Sequence, residues 1–306
     1  MPSLDIVIPA YNAEHCLSRT LESIFRQTVP ADLEFGVIVV NNRSTDSTGA
    51  LIDHWAEQGV RRVDHQECQG RSSTINAGAA ASNADFLFIL DADCQLFGSD
   101  SLVLANTVIA KGIDAGFGYA TCVSDDFWGR YQRRLETDRV ASGWRGWTTQ
   151  CCLIRRELFE AIGGFPTEYR YYGFEDRDFV CRLMSMKNNK SLESLPSLRA
   201  VHEDETNIMD VFKKMYIAGR YSSEIFKSNF PGEYLETIYA SVDLDTAPKY
   251  RVLLLRSLQP LSPLLAWIAS FLCNRQITPL VVGRPVIKLC SALSYFHGTV
   301  DRKRAV

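Results

Sequence analysis

Two acidic motifs are the residues best suited to chemistry in this chain of 306 residues. Asp91 and Asp93 directly follow the apolar run from Phe86 to Leu90, which predicts a buried strand that delivers two carboxylates to one edge of a sheet. Residues two apart on an extended chain share a face, so the pair would repel unless a cation or a proton intervenes. Mg²⁺ and Mn²⁺ bind through one or two carboxylates plus substrate phosphates. The motif therefore predicts a divalent-metal site for a phosphate-bearing substrate.

The second acidic motif runs from Glu175 to Asp178 and opens a predicted helix over 175–186. The helix dipole would keep Asp176 ionised in the first turn, as a general base requires. Asp and Glu are also enriched in first turns as simple caps. Helix patterning alone favours the capping interpretation, and it predicts that Asp178 is a charge on the helix face.

The first half of the chain alternates strand and helix patterns, which predicts βαβ units and a mostly parallel α/β sheet. The predicted strands cover 4–9, 35–40, 62–66 and 86–90, and the helices begin after Asn12 as a cap, after residue 46 and at residue 72. Ligands bind beyond the carboxyl ends of such strands. Polar motifs follow three of these strands, namely Pro9-Ala10-Tyr11-Asn12, Asn41-Asn42 and Asp91-Ala92-Asp93. Their convergence predicts a single site.

The second half of the chain is less regular. Strands are predicted over 115–122 and 148–154, with helices beyond Thr206. Between the two strands, residues 128–147 are rich in Trp, Arg and Gly and predict a long mobile loop. Trp147 and Tyr172 offer flat apolar faces on which a sugar ring can stack, and ordinary core or interface packing is the alternative explanation.

Composition restricts the class of protein. A hydrophobic content of 46% supports one large or two small domains, and a net charge of -3 argues against a nucleic-acid partner. Nine scattered cysteines without a CxxC pair are typical of a reducing cytoplasm. The apolar run at residues 4–8 is too short for a signal peptide, so a cytoplasmic location is expected.

The C-terminal region is apolar and basic. Leu253–Cys273 contains Arg256, Pro260 and Pro263, and its unbroken part, 264–273, is predicted to be too short to span a bilayer. Arg275, Arg284, Lys288 and the 302–304 tail favour in-plane association with an anionic membrane surface. A helical pair packed on the catalytic domain, or on a second subunit as a homodimer, fits the same pattern. The sequence does not decide between these alternatives.

Several motifs resemble family 2 glycosyltransferases of the GT-A fold over about residues 1–220. The resemblance lies in Ile6–Asn12, in Gly70–Gly78 and in Asp91-Ala92-Asp93, in the family's order. The stretch from Gly163 to Asp178 is similar to the acceptor-side segment of galactosyltransferase-like members. One departure is Asn41-Asn42-Arg43-Ser44, where the family commonly has Asp-Asp-Gly-Ser. Asn both donates and accepts whereas Asp only accepts, so either base recognition survives this change or the preferred nucleotide differs.

The resemblance implies a GT-A catalytic domain over 1–220, with a nucleotide-sugar half at 1–98 and an acceptor half at 99–220, followed by a helical region at 221–306. It implies Mn²⁺ or Mg²⁺ as cofactor and a UDP-sugar as donor. The activity would be hexosyl transfer (EC 2.4 class), with inversion, to a hydroxyl of a glycan or lipid-linked acceptor. The setting would be polysaccharide biosynthesis, peripheral on the cytoplasmic face of the inner membrane.

The resemblance also assigns site residues. The nucleotide sugar would contact Pro9, Ala10, Tyr11, Asn12, Asn41, Arg71, Asn76, Asp91, Ala92 and Asp93. The metal ligands would be Asp93, Asp91 and His202. Asp176 would be the general base, and Glu175, Trp147 and Tyr172 would hold the acceptor.

Two other classes of protein are alternatives. A sugar nucleotidyltransferase shares nucleotide-binding α/β folds, but it usually carries a Gly-rich basic loop near the N-terminus, unlike residues 9–12. A non-catalytic membrane-associated scaffold could keep the fold without the chemistry. The presence of both Asp93 and Asp176 argues against that scaffold.

Overall fold

The computed structural model describes residues 1–65, 70–187, 190–202, 208–273 and 278–304. The chain divides into two compact units. Unit 1 comprises Met1–Val123, Leu135–Thr167 and Phe179–Asp204, and unit 2 comprises Ser124–Arg134, Glu168–Asp178 and Glu205–Val306. These units interleave along the chain, and the domain limits at residues 98 and 220 stay predictions.

Unit 1 is built on an eight-stranded sheet. Its strands are β1 (Ser3–Ala10), β2 (Glu34–Asn41), β3 (Val60–Asp64), β4 (Phe86–Leu90), β5 (Cys94–Leu96), β6 (Ala115–Thr121), β7 (Cys151–Arg155) and β8 (Leu192–His202). The spatial order is β3-β2-β1-β4-β7-β6-β8-β5. The first four strands are parallel, β7 is antiparallel to β4 and β6, and β5 is antiparallel to β8. The prediction of a mostly parallel α/β sheet is confirmed.

Helices cover both faces of this sheet. The helices with residues in the two apolar layers are α1 (Leu17–Phe25), α2 (Thr48–Ala56), α3 (Arg71–Ala80), α4 (Ser101–Ala110), α6 (Arg156–Ala161) and α7 (Glu175–Ser185), and α5 (Phe127–Ala141) follows β6 in the chain. One apolar layer includes Leu21 of α1, and the other includes Ile75 of α3. All five residues of β4 are buried, as a central strand covered on both faces requires. A Cβ at Gly78 would lie 2.4 Å from Val7 Cγ1, so glycine lets α3 pack directly on β1.

The prediction of a mobile loop over 128–147 was wrong. The structure has α5 there, followed by a 3-10 turn at Gly143–Gly146. Most of α5 consists of Arg, Glu, Gln and other residues that favour helix, and these outweigh the single Gly129. The aromatic and Gly content of the stretch masked this propensity.

Unit 2 is helical. It contains α8 (Ile208–Ile217), α9 (Ser223–Asn229), α10 (Pro231–Leu235), α11 (Lys249–Leu258), α12 (Ser262–Cys273) and α13 (Leu280–Arg304). A π-helical turn, Ala218–Ser222, links α8 to α9. A Cβ at Gly298 would lie 2.2 Å from the Tyr216 carbonyl oxygen, so glycine allows α13 to cross α8 at close range. The helices beyond Thr206 are therefore confirmed.

Prolines do not break the apolar C-terminal segment. Pro260 lies in a 3-10 turn, Gln259–Leu261, and Pro263 lies in the first turn of α12, where a missing N–H costs nothing. Lys249–Cys273 is therefore one helical stretch of 25 residues, and by length and composition it can cross a membrane. The prediction that only 264–273 is unbroken was wrong.

Candidate active site

The Asp91-Ala92-Asp93 motif forms a tight turn between β4 and β5. The Cys94 N–H donates to the Asp91 carbonyl at 3.0 Å, and Thr20 Oγ1 donates to the Ala92 carbonyl at 2.7 Å. The spacing had predicted that the two carboxylates share one face of an extended strand. Because the chain turns here, that prediction was wrong. The turn instead directs Asp91 and Asp93 to different partners.

Asp93 meets His202. Its Oδ2 lies 3.3 Å from His202 Nε2, because the antiparallel register of β5 and β8 places Cys94 opposite His202. Burial acts to raise the pKa of Asp93, but the hydrogen bond and charge of His202 outweigh it and lower the pKa. The sequence prediction placed these two residues at one site, and the structure brings them together.

Cys94 completes this cluster, in which the candidate ligand atoms of Asp93, Cys94 and His202 all lie within 4.8 Å of one another. The Cys94 Sγ lies 3.6 Å from Asp93 Oδ1. Burial first, and then the Asp93 charge, raise the pKa of the Cys94 thiol well above its usual value. The thiol donates a hydrogen bond to the Asp93 carboxylate and so helps to orient it. Sequence reasoning missed Cys94.

Asp91 pairs with Arg71. The guanidinium Nη2 lies 2.7 Å from Asp91 Oδ1, and Nη1 donates to Thr149 Oγ1 at 3.0 Å. The Arg71 guanidinium also lies 5.6 Å from the ring centre of Phe165, in cation–π range. Arg71 is the first residue of α3, so a fixed positive charge stands at a helix N-terminus. The contacts predicted for Arg71 and Asp91 with the donor and metal stay predictions.

The loops after β1 and β2 are tied together. The Asn12 N–H donates to Ser44 Oγ at 3.0 Å, and Asn12 Oδ1 accepts from the Thr45 N–H at 2.8 Å. Asn12 has a φ of +48° and does not cap α1, which begins at Leu17, so that prediction was wrong. Pro9 and Ala10 end β1, and Tyr11 is 56% exposed beside them. These hydrogen bonds join the two loops into one rim at the carboxyl ends of β1 and β2.

Asn41 uses both ends of its amide inside the protein. Its Oδ1 accepts from the Ser44 N–H at 3.1 Å, and its Nδ2 donates to Asp64 Oδ1 at 3.0 Å. Asp64 ends β3 in register with Asn41 and pairs with Arg62, whose hydrogen bond holds the pKa of Asp64 low. Asn41 is buried, and the carboxylate at the end of this strand pair is that of Asp64 on β3.

Asn76 and Trp147 also make internal contacts. Asn76 exchanges two hydrogen bonds with the Phe165 backbone, at 2.9 and 2.8 Å. Trp147 stacks on Phe117, with ring centres 4.4 Å apart. These contacts position the Gly163–Phe165 turn and the loop before β7. Donor contact by Asn76 and acceptor contact by Trp147 stay predictions.

The second acidic motif starts α7 from a constrained loop in unit 2. Phe174 has a φ of +70°, which is strained for a residue with a side chain. Its ring stacks on Phe226 at 5.1 Å, and Glu175 Oε2 accepts from the Gly173 N–H at 2.9 Å. The loop therefore presents Glu175 and Asp176 in the first turn of α7, and the helix prediction is confirmed.

Asp178 is a buried anchor, so the prediction of a charge on the helix face was wrong. It is 1% exposed, and its Oδ2 accepts from the Tyr169 hydroxyl at 3.0 Å and from Asn229 Nδ2 at 3.1 Å. Tyr172, predicted to hold the acceptor, is 48% exposed, and the Lys214 ammonium lies 5.6 Å from its ring centre. Asn229 carried no sequence signal because it lies 51 residues from Asp178, and Tyr169, nine residues before Asp178, lies outside the helical pattern.

Comparisons with known proteins identify the family. The Glycosyl transferase family 2 profile matches residues 5–163, just over half of the chain, and the profile described as the N-terminal domain of galactosyltransferase matches residues 132–202. A PGL/p-HBAD biosynthesis glycosyltransferase of Mycobacterium tuberculosis is 29% identical over 186 residues, covering 60% of this chain and 70% of that protein. A Haemophilus influenzae protein described as an uncharacterized glycosyltransferase is 28% identical over 59% of this chain and 62% of its own length.

Solved structures share the fold. The mannosyltransferase PcManGT from Pyrobaculum calidifontis, in complex with GDP-Man and Mn²⁺, superposes with a TM-score of 0.64 at 19% identity, covering 98% of this chain and 86% of that one. S. aureus TarS 1-349 in complex with UDP-GlcNAc gives 0.53 at 15% identity, covering 100% and 92%. The chain therefore belongs to glycosyl transferase family 2 and is a glycosyltransferase with a GT-A fold.

Proposed function

We propose that this glycosyltransferase is metal-dependent and moves a hexose, with inversion, from a nucleotide-diphosphate sugar to an acceptor hydroxyl. The observation that carries the proposal is the Asp93–His202 pair, 3.3 Å apart, directly after the central strand β4. Ligands of open α/β sheets bind beyond the carboxyl ends of the strands, where this pair lies. The structural neighbours in complex with GDP-Man and UDP-GlcNAc support a nucleotide-diphosphate sugar as donor.

The residues present fit a Mn²⁺ or Mg²⁺ ion. The Asp93 carboxylate is a ligand that suits such a cation, and the His202 imidazole lies 3.3 Å from that carboxylate. Asp93 and His202 would hold the ion, with Asp91 as a further predicted ligand. When bound, the ion supplies charge that stabilises a leaving diphosphate.

The donor would lie along the rim formed by the loops after β1 and β2. Pro9 to Tyr11 would border the base, and Arg71 at the start of α3 would contribute a fixed positive charge toward a diphosphate. A UDP-sugar is proposed first, on the family resemblance. The Asn41 amide already bonds Ser44 and Asp64, and Asn41 replaces the aspartate that is common in the family. A GDP-sugar is therefore the donor to compare with a UDP-sugar.

The acceptor hydroxyl would lose its proton to Asp176 in the first turn of α7. Asp176 would act as a general base while the hydroxyl oxygen attacks the anomeric carbon, and Glu175 would hold the acceptor. A glycan or a lipid-linked sugar is proposed as acceptor, in polysaccharide biosynthesis. A lipid-linked acceptor presents its hydroxyl at a bilayer, so the proposed location is the cytoplasmic face of the inner membrane.

A donor-hydrolysis screen tests the metal and the donor together. UDP- and GDP-sugars are incubated with the full chain and Mn²⁺, with Mg²⁺ or with excess EDTA, and nucleotide release is measured. We expect release with one nucleotide class, and its loss with EDTA and in Asp93→Asn. Asp100→Asn, which changes an exposed carboxylate at the start of α4, is the matched control and should keep full activity. Undiminished release in EDTA would contradict the metal assignment.

Substitutions at α7 test the base. General-base catalysis typically contributes 10²–10⁴-fold, so Asp176→Asn should lose turnover on that order while it binds nucleotide diphosphate normally. Glu175→Gln should weaken acceptor binding more than donor binding. If Asp176→Asn turns over the accepted sugar at the wild-type rate, the base lies elsewhere.

A further inference from the structure

The helical stretch Lys249–Cys273 exposes several large apolar side chains on one face. The side chains on that face are Tyr250 (69% exposed), Leu253 (71%), Leu264 (55%), Trp267 (65%) and Phe271 (46%). Contiguous exposed apolar surface of this kind marks an interaction site. At about 3.6 residues per turn, these side chains point to one side of the helix.

The opposite side of this stretch is packed within unit 2. Leu255 is 4% exposed and clusters with Leu293 and Phe296 of α13. Ala269 and Cys273 are buried at 0% and 3% in the cluster that contains Ile287 of α13. The open apolar side chains are therefore confined to one side of the stretch, as an in-plane helix requires.

The charge of the region identifies what covers the exposed face. Residues 249–300 contain no Asp or Glu and six Lys or Arg, which leaves a net charge of -9 on the rest of a chain of net charge -3. Lys249 and Arg256 are exposed at the border of the apolar face, and Lys288 is exposed on α13. A second copy of the chain would oppose like charges across such a contact, whereas anionic lipid complements them.

We infer that the apolar face of Lys249–Cys273 lies in the plane of an anionic phospholipid surface, with Trp267 and the leucines inserted at the headgroup boundary. Apolar residues on one side and cations at the border are the two features that interfacial helices combine. Trp is favoured at this depth because its ring is amphipathic. The inference does not depend on the donor, the metal or the base.

Flotation of the full chain with vesicles tests this surface without donor or acceptor. We expect strong binding to vesicles of equal phosphatidylglycerol and phosphatidylcholine and weak binding to phosphatidylcholine alone. Trp267 fluorescence should shift to the blue on binding, and Trp267→Phe should remove the shift. Leu264→Glu should weaken binding at least about tenfold, since the burial of a leucine is lost. Leu235→Glu, 61% exposed in the same unit but outside this stretch, should bind as wild type.

The charge component has its own variant. Arg256→Gln should weaken binding to the anionic vesicles about fivefold, the effect of one cation near such a surface, and leave binding to neutral vesicles unchanged. Failure of the full chain to float with anionic vesicles would overturn the inference. So would a dimer in sedimentation that Leu264→Glu dissociates, because a second copy would then cover the face.

Discussion

Replacing Tyr169 by Phe removes one hydrogen-bond donor from the buried carboxylate of Asp178. The hydroxyl lies 3.0 Å from Asp178 Oδ2, and the tyrosine is only 3% exposed. Burial first, and then the Asp178 charge, raise the pKa of Tyr169, so the hydroxyl stays protonated and donates. A hydrogen bond to a charged group contributes about 1.5–3 kcal/mol. Each 1.4 kcal/mol is a factor of about ten, so the unfolded fraction should rise about ten- to a hundredfold.

Urea unfolding followed by circular dichroism measures this loss. We expect a lower midpoint with an unchanged slope, since the buried surface stays the same. Tyr171→Phe is the matched control, because Tyr171 is 54% exposed and stacks on Tyr221 through its ring. Its unfolding free energy should change by less than about 0.5 kcal/mol. Turnover of Tyr169→Phe should also fall, because Asp178 anchors the turn that carries Asp176.

The result that would refute this reasoning is a Tyr169→Phe midpoint equal to that of wild type. Asn229→Ala provides an independent perturbation of the same carboxylate, through a hydrogen bond of 3.1 Å. If both single variants are neutral, the burial of Asp178 does not rest on these two donors. The start of α7 would then be fixed by other contacts.

Three further predictions follow from single contacts. His202→Gln should weaken Mn²⁺ affinity by at least about tenfold in a titration followed by electron paramagnetic resonance. Asn41→Asp should lower the free energy of unfolding by about 1–3 kcal/mol, because the 3.0 Å hydrogen bond to Asp64 becomes a repulsion between two carboxylates. The double variant with Asp64→Asn should recover the lost stability in the same thermal unfolding experiment. Burial acts to raise the pKa of Asp245, but hydrogen bonds with two lysines lower it to about 2 from 3.8. The Asp245 carboxylate therefore adds to the free energy of unfolding above pH 3.8, and this contribution is lost as the pH falls toward 2. In acid unfolding, Asp245→Asn should be less stable than wild type by about 1 kcal/mol at neutral pH, and the difference should shrink near pH 2.

The parallel sheet could be predicted because each of three apolar runs is followed directly by a polar motif. The continuous apolar run of β4 predicted a buried central strand, and the β1, β2 and β4 motifs predicted a shared edge. The same reasoning failed at Asp91 and Asp93, where the chain turns instead of staying extended. A turn stabilised by the Thr20 hydroxyl cannot be recognised from the spacing of two carboxylates.

Partners distant in sequence account for most of what the sequence did not predict. Cys94 lies opposite His202 only because β5 pairs with β8, more than 100 residues later. Asn41 was expected to contact the nucleotide sugar, and the structure adds that its amide donates to Asp64 at the end of β3. Asp178 was interpreted as a solvated charge because Asn229, which bonds it, lies on a helix 51 residues further along.

The segment 171–178 is held at three points by the π-helical turn and α9. Ser222 Oγ donates to the Tyr172 carbonyl at 3.0 Å, Phe226 stacks on Phe174 and Asn229 bonds Asp178. A π-turn shifts the side-chain register of a helix, and such turns occur often at functional sites. Ser222→Ala removes the Oγ donor and should therefore lower turnover while leaving nucleotide-diphosphate binding unchanged. If Ser222→Ala instead altered donor affinity and left turnover unchanged, the π-helical turn would not position the acceptor-side loop.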